Sequence, residues 1–171
     1  MTTQVFGGIS NFRWFWVTLI VVVLDQWTKH LAVANLAMYE PVPVMPYFNL
    51  MLAHNTGAAF SFLADAGGWQ RWFFVGLTAV ISVVLTVWLY RLPRGQKLLP
   101  IALTLVLGGA LGNVYDRISY GYVVDFIDWY VGTYHWPAFN IADAAICVGA
   151  GLLILDSFRQ PSTKAAKEQG V

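Results

Sequence analysis

Four long apolar segments are separated by polar or aromatic stretches along this chain. The segments cover approximately residues 12–34, 72–90, 98–117 and 138–158. At about 1.5 Å per residue, each is long enough to cross the roughly 30 Å hydrocarbon core of a bilayer as an α-helix. The pattern predicts four transmembrane helices that belong to one integral membrane domain, residues 1–171, with longer connections at 35–71 and 118–137.

The two longer connections are rich in aromatic side chains, which is unusual for ordinary polar loops. Tyr and Trp side chains are typical of the headgroup level of a membrane. Residues 47–53 alternate in polarity and predict a short strand, whereas residues 123–131 fit either a strand or an interfacial helix. The aromatic residues in these connections are Tyr39, Tyr47, Phe48, Trp69, Tyr120, Tyr122, Trp129, Tyr130, Tyr134 and Trp136.

The composition supports a membrane protein and excludes several other classes. Apolar residues make up 58% of the chain and charged residues only 11%, whereas soluble domains carry about 25% charged residues. The net charge is +1 and no long basic run is present, so we expect no nucleic-acid partner. The single cysteine, Cys147, excludes an intrachain disulfide.

The distribution of Lys and Arg predicts the orientation in the membrane. One set of helix ends carries seven of the ten basic residues and the other set carries three. Basic residues concentrate on the cytoplasmic side of membrane proteins. We therefore expect both termini in the cytoplasm and both long connections on the outer face. The seven are Arg13, Arg91, Arg94, Lys97, Arg159, Lys164 and Lys167, and the three are Lys29, Arg71 and Arg117.

Polar side chains occur at one end of the predicted helices, where they are costly and therefore informative. A carboxylate near the middle of a transmembrane helix costs at least about 2.5 kcal/mol. With the predicted orientation, all of these residues, and three more in the connections, fall toward the outer face, which indicates a common site. They are Asp25, Lys29, Asn113, Asp116, Arg117, Asn140 and Asp143 within the helices and Asn55, Asp125 and Asp128 outside them.

Spacing distinguishes structural pairs from candidate catalytic residues. Asp25 and Lys29 are four residues apart, the favourable order for a helix ion pair, so a structural and a functional role are equally open. Asp116 lies on a different helix face from Arg117 and is left to pair elsewhere or to act at the site.

Asp125 and Asp143 are the strongest candidates for acid/base chemistry. No Lys or Arg occurs between Arg117 and Arg159, so neither acid has a local counter-ion. When two such carboxylates approach closely, the pKa of one rises and a proton is shared. One can then activate water while the other donates a proton. Asp128 is a rival to Asp125 for this role.

Other chemistries fit less well. Cys147 has no histidine nearby in its span and is expected to be a buried thiol. A Ser61–Lys29 pair lacks a supporting motif. The three histidines do not have zinc-ligand spacing, and no nucleotide or flavin motif is present, so we expect no metal and no cofactor.

Residues 108–112 contain a G-x-x-x-G pattern, which predicts close helix packing.

A proton-coupled carrier or channel subunit would also use intramembrane Asp residues. Such a protein is expected to distribute its acids across the bilayer depth, which this chain does not.

Five motifs in order resemble the lipoprotein signal peptidases (type II signal peptidases) of bacteria. They are DQWTK at 25–29, NTGAAFS at 55–61, GGALGNVYDR at 108–117, VVDF at 123–126 and FNIAD at 139–143. The resemblance implies an aspartyl endopeptidase of the bacterial inner membrane with four transmembrane helices, a small outer β-sheet platform and an interfacial helix. It implies no cofactor.

The same resemblance implies roles for individual residues and identifies partners. Asp125 and Asp143 would be the catalytic pair, in agreement with their lack of counter-ions. The substrate would be a prolipoprotein, cut just before its diacylglyceryl-modified cysteine. Membrane lipids and globomycin-like peptide inhibitors would be further partners. The residues implied around the substrate or the catalytic pair are Asn55, Gly57, Asn113, Arg117 and Asn140.

Overall fold

The computed structural model describes residues 6–57 and 67–159. It contains four long helices, each apolar and long enough to cross a membrane, which confirms the four predicted spans. A short 3₁₀-helix, Gly8–Trp14, leads into the first of them. The helices are α1 (Phe15–Asn35), α2 (Trp69–Arg91), α3 (Leu98–Ser119) and α4 (Ile141–Arg159).

Helix α4 begins three residues later than the apolar pattern predicts, because Asn140 caps it. The Asn140 Oδ1 accepts the amide N–H of Asp143 at 2.9 Å, and the Asp143 Oδ2 accepts the amide N–H of Asn140 at 3.2 Å. This reciprocal arrangement is a capping box, which satisfies amides that a helix start leaves without partners.

Helix α3 lies at the centre of the bundle and packs against each of the other three helices. Its glycines allow this close approach. A Cβ added to Gly108 would lie 2.8 Å from the Cβ of Val21 in α1, and one added to Gly109 would overlap the carbonyl oxygen of Ala142 in α4. The packing predicted from the G-x-x-x-G pattern is thereby confirmed.

A four-stranded antiparallel sheet occupies one end of the bundle, in the order β1-β2-β3-β4. The strand predicted at 47–53 is confirmed as β2, and 123–131 is a strand rather than a helix. Apart from the four long helices and the 3₁₀-helix, residues 6–57 and 67–159 contain no interfacial helix. The strands are β1 (Val42–Met45), β2 (Phe48–Asn55), β3 (Val123–Val131) and β4 (Tyr134–His135).

Strands β2 and β3 pair irregularly, and β3 is tied to the start of α4. Asn49 pairs with Asp128 and Ala53 with Asp125, and a bulge in β2 lies between these pairs. Ile127 bridges to Phe139, the residue before the α4 cap. Apolar side chains under the sheet pack with Ala32 of α1, so the sheet, α1 and α4 meet at one place.

Candidate active site

Asp125 is a buried carboxylate, the third residue of β3 and only 3% exposed. Asn55, the last residue of β2, donates from Nδ2 to its Oδ2 at 3.1 Å. Asn140 donates from Nδ2 to its Oδ1 at 2.7 Å. Each carboxylate oxygen of Asp125 therefore accepts a hydrogen bond from a neutral amide.

Asp143 lies in the first turn of α4 and is brought to the same site by the residues that cap this helix. Asn113 of α3 donates from Nδ2 to the Asp143 Oδ1 at 2.7 Å. Asn140 contacts both acids, because its Nδ2 reaches Asp125 and its Oδ1 accepts the Asp143 amide. Across the described ranges, neither acid forms an ion pair with Lys, Arg or His.

The surroundings of Asp125 favour its protonated form. Burial raises the pKa of Asp125 from 3.8 to about 7, and the negative charge of Asp143 acts in the same direction. The hydrogen bonds from Asn55 and Asn140 oppose this rise. Asp125 can therefore hold a proton near neutral pH, which is the condition that an acid/base pair of carboxylates requires.

Behind the two acids lies a buried ionic cluster centred on Lys29. The Lys29 Nζ is 2.8 Å from an oxygen of Asp25 and 2.8 Å from an oxygen of Asp116. It also donates to the Asn113 Oδ1 at 2.9 Å. Because that oxygen faces Lys29, the amide nitrogen of Asn113 is directed to Asp143. The ion pair predicted from spacing, between Asp25 and Lys29, is present, and Asp116 is the third member of the cluster.

The Lys29 cluster also binds backbone from two other elements. Asp25 accepts the amide N–H of Ala142 at 2.9 Å, and Asp116 accepts that of Val124 at 3.1 Å. Gln26, which sequence reasoning missed, donates to Asp116 at 2.8 Å. Its place within the DQWTK motif, directly after Asp25, was the available signal. The cluster thus connects α1, α3, β3 and the start of α4.

Arg117 points toward the end of β2 and does not pair with its neighbour Asp116. Its Nη2 donates to the carbonyl oxygen of Gly57 at 2.6 Å and its Nη1 to that of Asn113 at 3.3 Å. Its guanidinium lies 4.8 Å from the ring centroid of Phe74. Asn55 accepts the amide N–H of Gly57 at 3.0 Å. The turn at residues 55–57 therefore connects Arg117, which binds Gly57, with Asn55, which binds Asp125.

The remaining candidates lie apart from the two acids. Asp128 is hydrogen-bonded to Asn49 and His135, and to none of the asparagines around Asp125 and Asp143. Cys147 is exposed on α4, so the expectation of a buried thiol is wrong: its side chain is on the outward face of the helix. Ser61 lies outside the described residues. Within 6–57 and 67–159, no three His, Cys, Asp or Glu side chains are grouped to hold a metal ion.

Comparisons with known proteins identify a family for this chain. The family profile described as Signal peptidase (SPase) II, Peptidase_A8, matches residues 17–159. A lipoprotein signal peptidase of Alteromonas mediterranea is 52% identical over 94% of this chain and 88% of its own length. One from Photorhabdus laumondii is 54% identical over 92% of this chain and 95% of its own length.

A solved structure shares the fold. It is described as a bacterial membrane enzyme and superimposes with a TM-score of 0.78 at 30% identity, covering 86% of this chain and 88% of the other. The family match extends over all four helices and the sheet. The chain therefore belongs to the signal peptidase II family and is an aspartic-type peptidase of the membrane.

Proposed function

We propose that this chain removes signal peptides from prolipoproteins by hydrolysing the peptide bond just before the diacylglyceryl-modified cysteine. Asp125 and Asp143 are the catalytic pair in this proposal. The observation that carries it is the position of Asn140, whose side-chain amide donates to the Asp125 carboxylate and whose backbone amide donates to the Asp143 carboxylate. Within the described residues, neither carboxylate forms an ion pair. Family membership supports the same substrate class.

The reaction follows from two carboxylates that share one proton. The ionised partner takes a proton from water, whose oxygen attacks the scissile carbonyl carbon. The protonated partner gives its proton to the carbonyl oxygen, and a tetrahedral diol forms. When the diol collapses, the C–N bond breaks and the carboxylate that took the water proton gives it to the leaving nitrogen. The other carboxylate takes a proton from one diol hydroxyl as the new carbonyl forms, so both carboxylates return to their starting forms. The raised pKa of Asp125 suits it to hold the shared proton.

Substrate binding is assigned to the polar groups around the pair. A signal peptide helix must unwind at the cut, and bare backbone at membrane depth needs polar protein partners. Arg117 already binds two backbone carbonyls, those of Gly57 and Asn113, and its buried Nε has no partner within the described residues. Asn55, Asn113 and Asn140 supply neutral donors and acceptors beside it.

The site is proposed to face the outer side of the bacterial inner membrane, with both termini in the cytoplasm. The uneven distribution of basic residues supports this orientation. Exposed aromatic side chains on the sheet, including Tyr47, Trp129 and Tyr134, suit contact with membrane lipids at the headgroup level. Globomycin-like peptides would compete for the same polar groups as the substrate.

A purified lipidated precursor peptide tests the proposal directly. Wild type in detergent is expected to release the signal peptide and leave the modified cysteine as the new N-terminus, as mass spectrometry can determine. Asp143→Asn, assayed at the same concentration, is expected to release none. Cleavage at another bond, or equal cleavage by the variant, would contradict the proposal.

A further inference from the structure

A second polar cluster, made of a buried carboxylate, a buried amide and an exposed histidine, lies in the sheet, separate from the two acids and from the Lys29 cluster. We call its three members, Asp128, Asn49 and His135, the Asp128 cluster. Asp128 is fully buried; Asn49 donates to its Oδ2 at 2.9 Å. The His135 Nδ1 lies 2.9 and 3.0 Å from its two oxygens. Burying a carboxylate is costly unless it is well bonded, so its retention calls for a specific role.

The Asp128 cluster lies at a point where the pairing of β2 with β3 is irregular. Asn49 and Asp128 face each other across the two strands, and the bulge begins one pair further along, between Leu50–Ile127 and Ala53–Asp125. A slip of one residue in strand pairing turns every side chain to the opposite face. The hydrogen bond between Asn49 and Asp128 requires one particular register and therefore opposes such a slip. An apolar pair at the same position would oppose it less, because apolar contacts are not directional.

The same part of β3 is joined to the start of α4. The amides of Phe126 and Ile127 both donate to the carbonyl of Phe139, at 3.0 and 2.9 Å, and the Phe139 amide donates back to Ile127 at 3.1 Å. Phe139 directly precedes Asn140, which binds both acids. The segment of β3 that carries Asp125 and Asp128 is thus bound to β2 on one side and to the residue before the α4 cap on the other.

We propose that Asp128, together with Asn49 and His135, is a positioning residue for the peptidase reaction. It fixes the register of β3 on β2 and thereby the placement of Asp125 against Asn140 and Asp143. Asp128 itself does not contact the reacting atoms. This inference rests on the proposed function, because its effect is on turnover by the two acids.

The test separates positioning from stability with two variants, assayed on the lipidated precursor for kcat, KM and Tm. Asp128→Leu removes the acceptors and leaves Asn49 buried without its partner, which lowers Tm. We expect its kcat to fall about 10- to 100-fold, the cost of a small misplacement of a catalytic group, with a smaller change in KM. The double variant Asn49→Leu/Asp128→Leu leaves no unpaired donor, so Tm recovers, while kcat stays low.

Two controls complete the design. Asn11, buried at the other end of the bundle, donates to the carbonyls of Leu89 and Leu92; Asn11→Leu is expected to lower Tm with kcat unchanged. His135→Phe keeps the ring that stacks on Tyr130 and removes the hydrogen bond to Asp128, so a smaller loss of kcat is expected.

Recovery of kcat together with Tm in the double variant would overturn the inference. If Asp128→Leu fails to fold, the other two variants decide: a normal kcat in both His135→Phe and the double variant would also overturn the inference. If wild type does not cleave the precursor, the proposed function fails, and with it the inference. If wild type cleaves and the Asp128 cluster variants behave like Asn11→Leu, the inference alone fails.

Discussion

Asn140 and Asp143 cap the first turn of α4 reciprocally, each binding the backbone amide of the other at 2.9 and 3.2 Å. A carboxylate that we propose as catalytic is therefore also part of the helix start. Its side chain is held in one orientation by the cap and by Asn113 before any substrate binds. Such preorganisation is favourable for catalysis because the geometry need not be found during the reaction.

The first prediction is that Asp125→Asn and Asp143→Asn each lose nearly all turnover while the protein still folds. An amide keeps the size of the side chain and an oxygen that can accept a hydrogen bond, so the cap of α4 is retained. It cannot act as a general base, and we expect losses of about 100- to 10,000-fold. Release of signal peptide from the lipidated precursor in detergent measures this.

The conservative variant Asp128→Asn serves as the matched control in that assay. It also retains an oxygen for Asn49, so its effect should be much milder than that of either proposed catalytic substitution. Near-normal turnover by Asp125→Asn or Asp143→Asn would show that the pair is wrongly assigned. A loss in Asp128→Asn equal to that in Asp125→Asn would make Asp128 a candidate for direct chemistry.

The second prediction concerns stability and pH. The folded protein binds the Asp125 proton more tightly than the unfolded chain, because the pKa is about 7 instead of 3.8. This contribution to stability is complete below pH 3.8 and is lost as the pH rises through about 7. Asp125→Asn avoids burying a charge, so its Tm should exceed that of wild type at about pH 8.

The size of this difference should change with pH in one direction. At alkaline pH the free energies of unfolding of Asp125→Asn and wild type should differ on the order of a few kcal/mol. This difference should shrink toward pH 5. Thermal unfolding of both proteins in the same detergent, at a series of pH values, measures it. A Tm difference that stays constant across the series would argue against a buried Asp125 that titrates near neutrality.

The third prediction is that Arg117 and Asn55 contribute to binding. Arg117→Lys keeps the charge and loses the planar fork of donors that reaches Gly57. Asn55→Ala removes the amide that joins Gly57 to Asp125. We expect each to weaken the affinity for a globomycin-like peptide about 10-fold, the effect of losing roughly one good hydrogen bond.

Titration of the inhibitor against purified variants in one detergent tests this prediction. Arg71→Lys is a suitable control, because Arg71 also donates to a backbone carbonyl, that of Ile118, at 2.7 Å, but has no contact with the acids. Unchanged affinity in both Arg117→Lys and Asn55→Ala, with Tm preserved, would assign these residues a structural role only.

The fourth prediction concerns orientation in the membrane. A reporter active only outside the cytoplasm should be active when fused near Gly67 or Gly132 and silent near Gly95 or after Val171. These fusion points sample the two long connections, the α2–α3 turn and the C-terminus. The opposite pattern would move the site to the cytoplasmic face, where exported precursors are not met.

The fifth prediction concerns the packing of α3. Gly109→Ala places a methyl group against the carbonyl of Ala142 and 2.7 Å from a side-chain carbon of Ile146. This overlap pushes α4 away, and we expect a loss of about 1–3 kcal/mol in stability together with reduced turnover. Gly151→Ala in α4 meets no atom within 4 Å and should change neither. Equal effects of the two variants would argue against close packing at Gly109.

The helices were predictable from sequence because their signal is local: a run of apolar residues of membrane length needs no knowledge of the rest of the chain. The candidate residues of the site could be selected from the sequence, since acids without nearby cations in such a sequence are rare and costly. The membrane face on which they lie stays a prediction. The strand at 47–53 was visible in its alternation, whereas β1 and β4 are too short and too exposed to leave a pattern.

What the sequence left open depends on contacts between distant segments. Asp116 lies 87 positions from Lys29 in sequence, and nothing local indicates that they pair. The choice between strand and helix for 123–131 was decided by partners in β2. Helix α4 starts at Ile141 because the side chain of Asn140 caps it. The run of apolar residues that predicted the helix contains no information about such a cap.

The Lys29 cluster has a consequence for how the protein is assembled in the bilayer. Asp25 and Lys29 can offset each other within α1, but Asp116 arrives with α3, and the amides that complete both carboxylates come from α4 and β3. No single helix can satisfy these groups in lipid, so the helices gain most when they associate. The cluster is complete only when all of these segments are in place, so we expect peptidase activity to appear after the last helix, α4, has inserted.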